Sequence, residues 1–302
     1  MTLSPPEKKS KIIVILGPTA SGKSALAVKL VKRFYGEVVS ADSRQVYRGM
    51  DIGTGKVSKK EQRLVKHHLI DIIDPKNPPA GGFSVAQYKK LGEKVIADIL
   101  KRGKIPIIVG GTGFYINALL GQHFPEVPPN KKLRAKLEKQ TAEQLFQQLK
   151  KLDPRRATNI DAKNRRRLIR ALEIVFITGK PITKIEFQSK YNVLWLGLNP
   201  KNLREQIIKR LEQRLRQGMI QEVKKLHAQG VSYRRLENFG LEYRWTAQYL
   251  QKKISLPEMK EGLLRAIFQY AKRQMTWFKR NKDIHWIANK SQALNLAQKH
   301  QF

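Results

Sequence analysis

The chain has 302 residues, 41% of them hydrophobic, and carries 60 Lys plus Arg against 24 Asp plus Glu, a formal net charge of +36. That length and apolar content predict a folded protein with a large core, either one big domain or one domain with a smaller insertion. The absence of cysteine excludes disulfides, thiolate metal sites and cysteine nucleophiles, and so large a positive excess selects a polyanionic partner, nucleic acid first.

Residues 1–10 read as a loose polar tail, with Pro5 and Pro6, unlike a signal peptide. No apolar run is long enough to span a bilayer, and no basic segment carries a matching apolar face. A cytoplasmic protein with no membrane contact is expected. The apolar run Ile12 to Leu16 predicts a first buried strand, and Ser24 to Phe34 a helix after it. Val38-Val39 reads as a second strand leading into Ser40-Ala41-Asp42-Ser43. A helix capped by Ser84 runs through Leu91, Val95 and Ile99 to Gly103, and Ile105 to Val109 reads as a third strand. Strand alternating with helix predicts a parallel α/β sheet, whose ligands gather beyond the carboxyl ends of the strands.

From Pro125 the character changes: Pro128 and Pro129 break the chain. Charged helical patterns follow through Leu133, Leu137, Leu145, Leu149 and Leu152, then a basic stretch up to Arg170. Residues 128–183 are expected to form a small all-helical insertion in a core made of 11–127 and 184–302. Val193 to Leu198 returns to the sheet, and the rest is helical, ending in a basic-aromatic helix from about Pro257 to Arg280.

Between the first strand and its helix lies Gly17-Pro18-Thr19-Ala20-Ser21-Gly22-Lys23-Ser24. The glycines, Lys and Ser at this spacing match the strand–GxxxxGK[ST]–helix phosphate loop, in which backbone amides and a helix N-terminus face a phosphate group. Asp42 follows the second strand and Gly110-Gly111-Thr112-Gly113 the third, so three polar groups meet at the strand ends. Asp42 has two chemical uses there. It can hold Mg²⁺ through water for phosphoryl transfer from a nucleotide such as ATP, or take a proton from a nucleophile that displaces a bound diphosphate. Asp-Ser is also ordinary turn chemistry, and Thr112 an ordinary helix cap.

His67-His68 reads as structural, because neighbours on an extended segment point to opposite sides, and Trp277 and Phe278 read as core. In Asn164 to Arg170, Leu168 joins Ala171, Leu172 and Val175 in an apolar stripe. Arg166, Arg167 and Arg170 lie off it and can face a phosphate backbone.

The motifs together resemble those of the tRNA dimethylallyltransferase (tRNA isopentenyltransferase) family over nearly the whole chain. The segments that carry the likeness are Gly17 to Ser24, Asp42 to Tyr47 (DSRQVY), Gly49 to Lys56 (GMDIGTGK) and His67 to Pro75 (HHLIDIIDP). Pro106 to Leu120 (PIIVGGTGFYINALL), Arg167 to Lys180 (RLIRALEIVFITGK) and Ala271 to Trp277 (AKRQMTW) complete them. The resemblance implies a P-loop NTPase-like core with a helical insertion that grips the anticodon stem-loop of tRNA. It implies transfer of a dimethylallyl group from dimethylallyl diphosphate to N6 of adenosine 37, in tRNAs that read codons beginning with U.

Carried over by residue, the resemblance places the diphosphate on Gly17, Pro18, Thr19, Ala20, Ser21, Gly22, Lys23 and Ser24, with Arg210 adding a contact and Mg²⁺ near Ser24. Asp42 would be the base, with Thr112 beside it. Asp42, Ser43, Arg44, Gln45 and Thr112, with Arg134, Arg166, Arg167, Leu168, Ile169 and Arg170 of the insertion, would hold tRNA. A monomer without an obligate protein partner suffices. The chain departs from the family pattern at Gly240-Leu241-Glu242-Tyr243, at Gln87 and at Arg214. Alternatives are a prenyltransferase acting on free AMP or ATP, a P-loop kinase or NTPase, and an RNA-binding protein with an unused loop. Phe114 or Tyr115 would suit an isoprenoid pocket, though core packing explains both equally well.

Overall fold

The computed structural model describes residues 9–79, 82–122, 125, 127–183 and 189–302; the expected tail lies outside these through residue 8. In chain order come β1 (Lys11–Leu16), α1 (Lys23–Phe34), β2 (Gly36–Ser40), α2 (Lys59–Leu64), β3 (His67–His68), α3 (Val85–Lys101), β4 (Ile105–Gly110) and α4 (Gly113–Leu119). Four helices follow: α5 (Lys131–Leu137), α6 (Ala142–Leu152), α7 (Pro154–Ala157) and α8 (Arg165–Thr178). After β5 (Asn192–Leu198) the chain continues through α9 (Leu203–Arg216), α10 (Met219–Ala228), α11 (Tyr233–Phe239), α12 (Leu241–Leu250) and α13 (Leu256–Phe278), and ends with β6 (His285–Ile287) and α14 (Lys290–Lys299).

The strands form one parallel sheet in the order β3-β2-β4-β1-β5-β6. Its inner strands β1, β2 and β4 are buried on both sides, as strands of a covered parallel sheet must be. Alternate residues divide between two cores. Ile12, Val14, Leu16, Val39 and Ile108 pack on Tyr88, Ile96 and Ile99 of α3 and on Ile116 and Leu119 of α4. Ile13, Ile15, Val38, Ile107 and Val109 pack on Leu26, Ala27, Leu30 and Phe34 of α1 and on Ala293 and Ala297 of α14. This is the α/β, phosphate-loop architecture expected.

Two strands escape a reading of the sequence, β3 with two residues and β6 with three, because neither is long enough to show an alternation. β3 carries the two histidines. His68 Nε2 lies 2.7 Å from the buried Glu37, and His67 Nδ1 lies 2.7 Å from the Val65 carbonyl, so they do point apart. Gln87 has a local role: it completes a capping box with Ser84 at the start of α3.

The chain divides into two compact units, residues 1–121 with 189–302, and residues 122–188. The second is built on Leu145, Leu149, Leu168, Leu172 and Val175, with its own apolar core. Its polar hub is Glu173, fully buried, whose carboxylate accepts hydrogen bonds from Arg134 Nε and Nη2 (both 2.8 Å), Arg170 Nη1 (2.5 Å) and the Asn130 amide (2.7 Å). Burial pushes the Glu173 pKa up, but those donors outweigh it and hold the carboxyl below its usual range.

Candidate active site

The phosphate loop leaves β1 through a residue that has to be glycine. Gly17 has φ +149°, and a Cβ there would stand 2.5 Å from the Leu198 carbonyl oxygen of the neighbouring strand. Ala20 and Gly22 are also left-handed, with φ +64° and +88°, and so curl the loop around its own amides. α1 then begins with Lys23 and has neither a side-chain cap nor an acid in its first turn, the arrangement that keeps a helix N-terminus open to an anion. Lys23 Nζ donates to the loop's own carbonyls, Gly17 O at 3.0 Å and Pro18 O at 2.7 Å. Burial pulls its pKa down to about 8, with Asp42 opposing the shift and Arg210 adding to it.

Asp42 follows β2 as both turn residue and cleft carboxylate. Its Oδ1 accepts the amides of Arg44 (2.8 Å) and Gln45 (3.3 Å), closing the turn. Oδ2 has no hydrogen-bond partner among the described residues. The end of β4 is pressed against this turn: Thr112 N donates to Ala41 O at 3.2 Å, and a Cβ on Gly110 would collide with the Ala41 backbone. Thr112 occupies the N-cap position of α4 without capping it. Its hydroxyl instead accepts the Ser43 amide at 3.3 Å. Burial pushes the Tyr270 hydroxyl well above its ordinary range, which keeps it a neutral donor or acceptor.

The cleft is lined by Thr19, Ala20, Ser21, Gly22, Lys23 and Ser24, by Asp42, Arg44 and Gln45, and by Arg210. Gly17, Pro18, Ser43 and Thr112 frame it without lining it. Residues that sequence reasoning does not assign to the site complete the walls: His67, Arg214, Glu242, Tyr243, Tyr270 and Gln274. Gln274 is buried and spans two loops, accepting the Thr19 amide and donating to Gly111 O, each at 2.9 Å. Its signal in the sequence is only its spacing of four from Tyr270, which puts both on one face of α13.

Phe114 and Tyr115 do not line the cleft; Tyr115 stacks on Tyr88 with 3.9 Å between ring centres. Phe278 is core as expected, but Trp277 is 36% exposed, lying across Gly113 where no Cβ fits. Arg134 and Arg166 to Arg170 belong to the second unit. Leu168 and Ile169, expected with them to hold tRNA, have their side chains buried in that unit's core. Arg166 and Arg167 are exposed, while Arg134 and Arg170, each about one-third exposed, are anchored on Glu173. Among the described residues no cluster of three or more His, Asp or Glu side chains forms a metal site, and no helix is long and apolar enough to cross a membrane.

Comparison with known proteins agrees. The family model described as IPP transferase matches residues 45–281. The tRNA dimethylallyltransferase of Pelotomaculum thermopropionicum is 42% identical over 94% of this chain and 93% of its own. The tRNA dimethylallyltransferase 1 of Geotalea daltonii is 44% identical over 91% and 90%. Among solved structures, the tRNA isopentenylpyrophosphate transferase of Bacillus halodurans superposes with a TM-score of 0.70 at 37% identity, covering 97% of this chain and 95% of its own. A eukaryotic dimethylallyltransferase captured acting on tRNA gives a TM-score of 0.80 at 29% identity, covering 97% and 77%. With a phosphate loop, a strand-end carboxylate and the neighbouring Gly-Gly-Thr-Gly turn gathered at one cleft, and with relatives matched along almost its whole length, the chain belongs to the tRNA dimethylallyltransferase family.

Proposed function

We propose that this protein transfers the dimethylallyl group of dimethylallyl diphosphate to N6 of adenosine 37 in tRNAs that read codons beginning with U. The observation that carries the reading is the pairing, in one cleft, of an anion cradle with a carboxylate whose Oδ2 has no hydrogen-bond partner among the described residues. The diphosphate lies on the loop from Gly17 to Ser24, with its charge met by Lys23, Arg210 and the amides at the start of α1. The adenine enters from the Asp42 and Thr112 side after leaving its stack. As the N6 lone pair bonds to C1 of the allyl group, the C1–O bond breaks and its electron pair leaves on the diphosphate. The N6 proton passes to Asp42 Oδ2.

Mg²⁺ fits this arrangement. Ser24 offers a hydroxyl in the cleft beside the phosphate loop, and Mg²⁺ takes so sparse a protein set when substrate phosphate and water supply its other ligands. Bound there, the ion neutralises charge on the diphosphate. Arg166 and Arg167 of the second unit supply exposed cations for the anticodon stem-loop. The reading has the protein working in the cytoplasm as a monomer.

Incubation with labelled dimethylallyl diphosphate and Mg²⁺ tests this, offering in parallel a tRNA with A36-A37, the same tRNA with G37, and AMP. Label in the A37 tRNA alone supports the proposal. Label in AMP moves the acceptor to a free nucleotide, and equal labelling of the G37 tRNA removes adenosine 37 as the target.

A further inference from the structure

Two segments have no role in the reaction just described: Gly49 to Lys56, which carries part of the family resemblance, and Gly240 to Tyr243, which departs from the family pattern. The structure joins them. Glu222 of α10 accepts three consecutive backbone amides, Asp51 at 2.9 Å, Ile52 at 2.6 Å and Gly53 at 3.0 Å, and also the Tyr243 hydroxyl at 2.7 Å. Successive amides converging in this way make an anion nest, and here the anion is the protein's own carboxylate. Gly53 is pressed so closely on Tyr243 that a Cβ would stand 2.8 Å from the ring.

Arg214 of α9 grips the same segment from beside it. Its Nη1 donates to Glu242 Oε1 at 2.7 Å and to Gly53 O at 3.2 Å, and its guanidinium fills the space where a Cβ on Gly55 would be. Arg214 and Glu242 side chains are only 12% and 10% exposed, so neither charge is tolerable there without the other. One turn earlier on the same helix face stands Arg210, 3.4 Å from that same Gly55 position. It makes no ion pair or hydrogen bond with the described residues. The two arginines repel each other, and only one of them has a carboxylate.

We infer that Arg214 and Glu242 are positioning residues for the leaving diphosphate. The buried pair fastens the Asp51–Gly55 loop as the cleft wall facing the phosphate loop. It also keeps Arg214 off the ligand, so that Arg210 alone is presented to it. This rests on the prenyl-transfer reading for the identity of the anion. It assigns a use to two positions, Arg214 and Glu242, at which the chain departs from its family's pattern.

The test is calorimetric titration of the full chain with inorganic diphosphate and Mg²⁺, beside melting temperature, for the wild type, Arg214→Met and the double variant Arg214→Met with Glu242→Gln. Arg214→Met strands a buried carboxylate, so both melting temperature and affinity fall. The double variant leaves no unpaired charge and recovers melting temperature. It still binds diphosphate about tenfold more weakly than wild type, the scale of one charge-assisted hydrogen bond, because the loop has lost its anchor. In turnover, KM for the prenyl donor rises while KM for tRNA holds. Affinity that returns together with melting temperature overturns the inference, since the pair then only balances charge. Equal binding by all three proteins overturns it too, while leaving the prenyl-transfer reading intact. A wild type that binds no diphosphate removes both.

Discussion

Lys23 shows how one side chain sets a pH response. Its pKa of about 8 in the free protein means that the ammonium is present below pH 8 and neutral above it. A bound diphosphate favours the charged form and returns the pKa toward its ordinary value. Binding above pH 8 must therefore take up a proton, and the dissociation constant for inorganic diphosphate is expected to rise about tenfold per pH unit there while staying flat just below. Lys23→Met abolishes that slope, and calorimetry in buffers of different ionisation enthalpy detects the proton directly. Asp42 gives a complementary expectation. Asp42→Asn keeps an oxygen for the Arg44 and Gln45 amides, so it preserves the turn while removing the base. Prenyl transfer at saturating substrates falls by about 10²- to 10⁴-fold with diphosphate affinity unimpaired; a rate equal to wild type would exclude Asp42 as the proton acceptor. Both residues are legible in the sequence because their chemistry is local, a loop of eight residues and a turn after a strand. Gln274 is not, because it reaches Thr19 across 255 residues of chain, and only the packing of α13 over the strand ends brings them together.

At the scale of elements, α13 acts as a strap between the phosphate loop and the Gly-Gly-Thr-Gly turn, through Gln274. Gln274→Leu strands the Thr19 amide and the Gly111 carbonyl, two half-buried groups whose loss of a partner costs at most about 1–3 kcal/mol each. Chemical denaturation should show a loss of that order, and Gln274→Glu, which keeps the acceptor and loses the donor, should fall between. In the second unit the comparable element is α8. Its apolar stripe can be read from spacing alone, but its arginines divide in a way that spacing cannot reveal. Arg170 turns inward to Glu173 and Arg167 outward, and the reason is the buried carboxylate one turn on, which recruits Arg134 as well. Glu173→Ala leaves two guanidiniums facing a carboxylate that is gone. Breaking a buried ionic hub of this kind costs about 3–5 kcal/mol, which differential scanning calorimetry should register as destabilisation. The short elements β3 and β6 are illegible for a simpler reason, since two or three residues carry no period.

At the scale of the molecule, the net charge of +36 makes RNA binding an ion-exchange reaction. The logarithm of affinity for an anticodon stem-loop should fall linearly with the logarithm of salt concentration. Replacing Arg166 or Arg167 with Gln should lower that slope by about 1 for each phosphate the arginine neutralises, whereas Leu168→Ala should act through stability and leave the slope alone. Composition foretells the class of partner, and the alternation of apolar runs foretells the layered sheet. Neither can show which cations are committed inside the protein, because that depends on where the few carboxylates are buried.

The strand order has a further consequence. The sheet is closed on one side by two residues and on the other by three, while its long apolar strands, β1 and β4, lie in the middle with a neighbour on each flank. Both edge strands are too short to offer a second copy of the chain a long ladder of their own amides and carbonyls. Brevity at both margins thus works against edge-to-edge association, while the long apolar strands are kept from it by their neighbours.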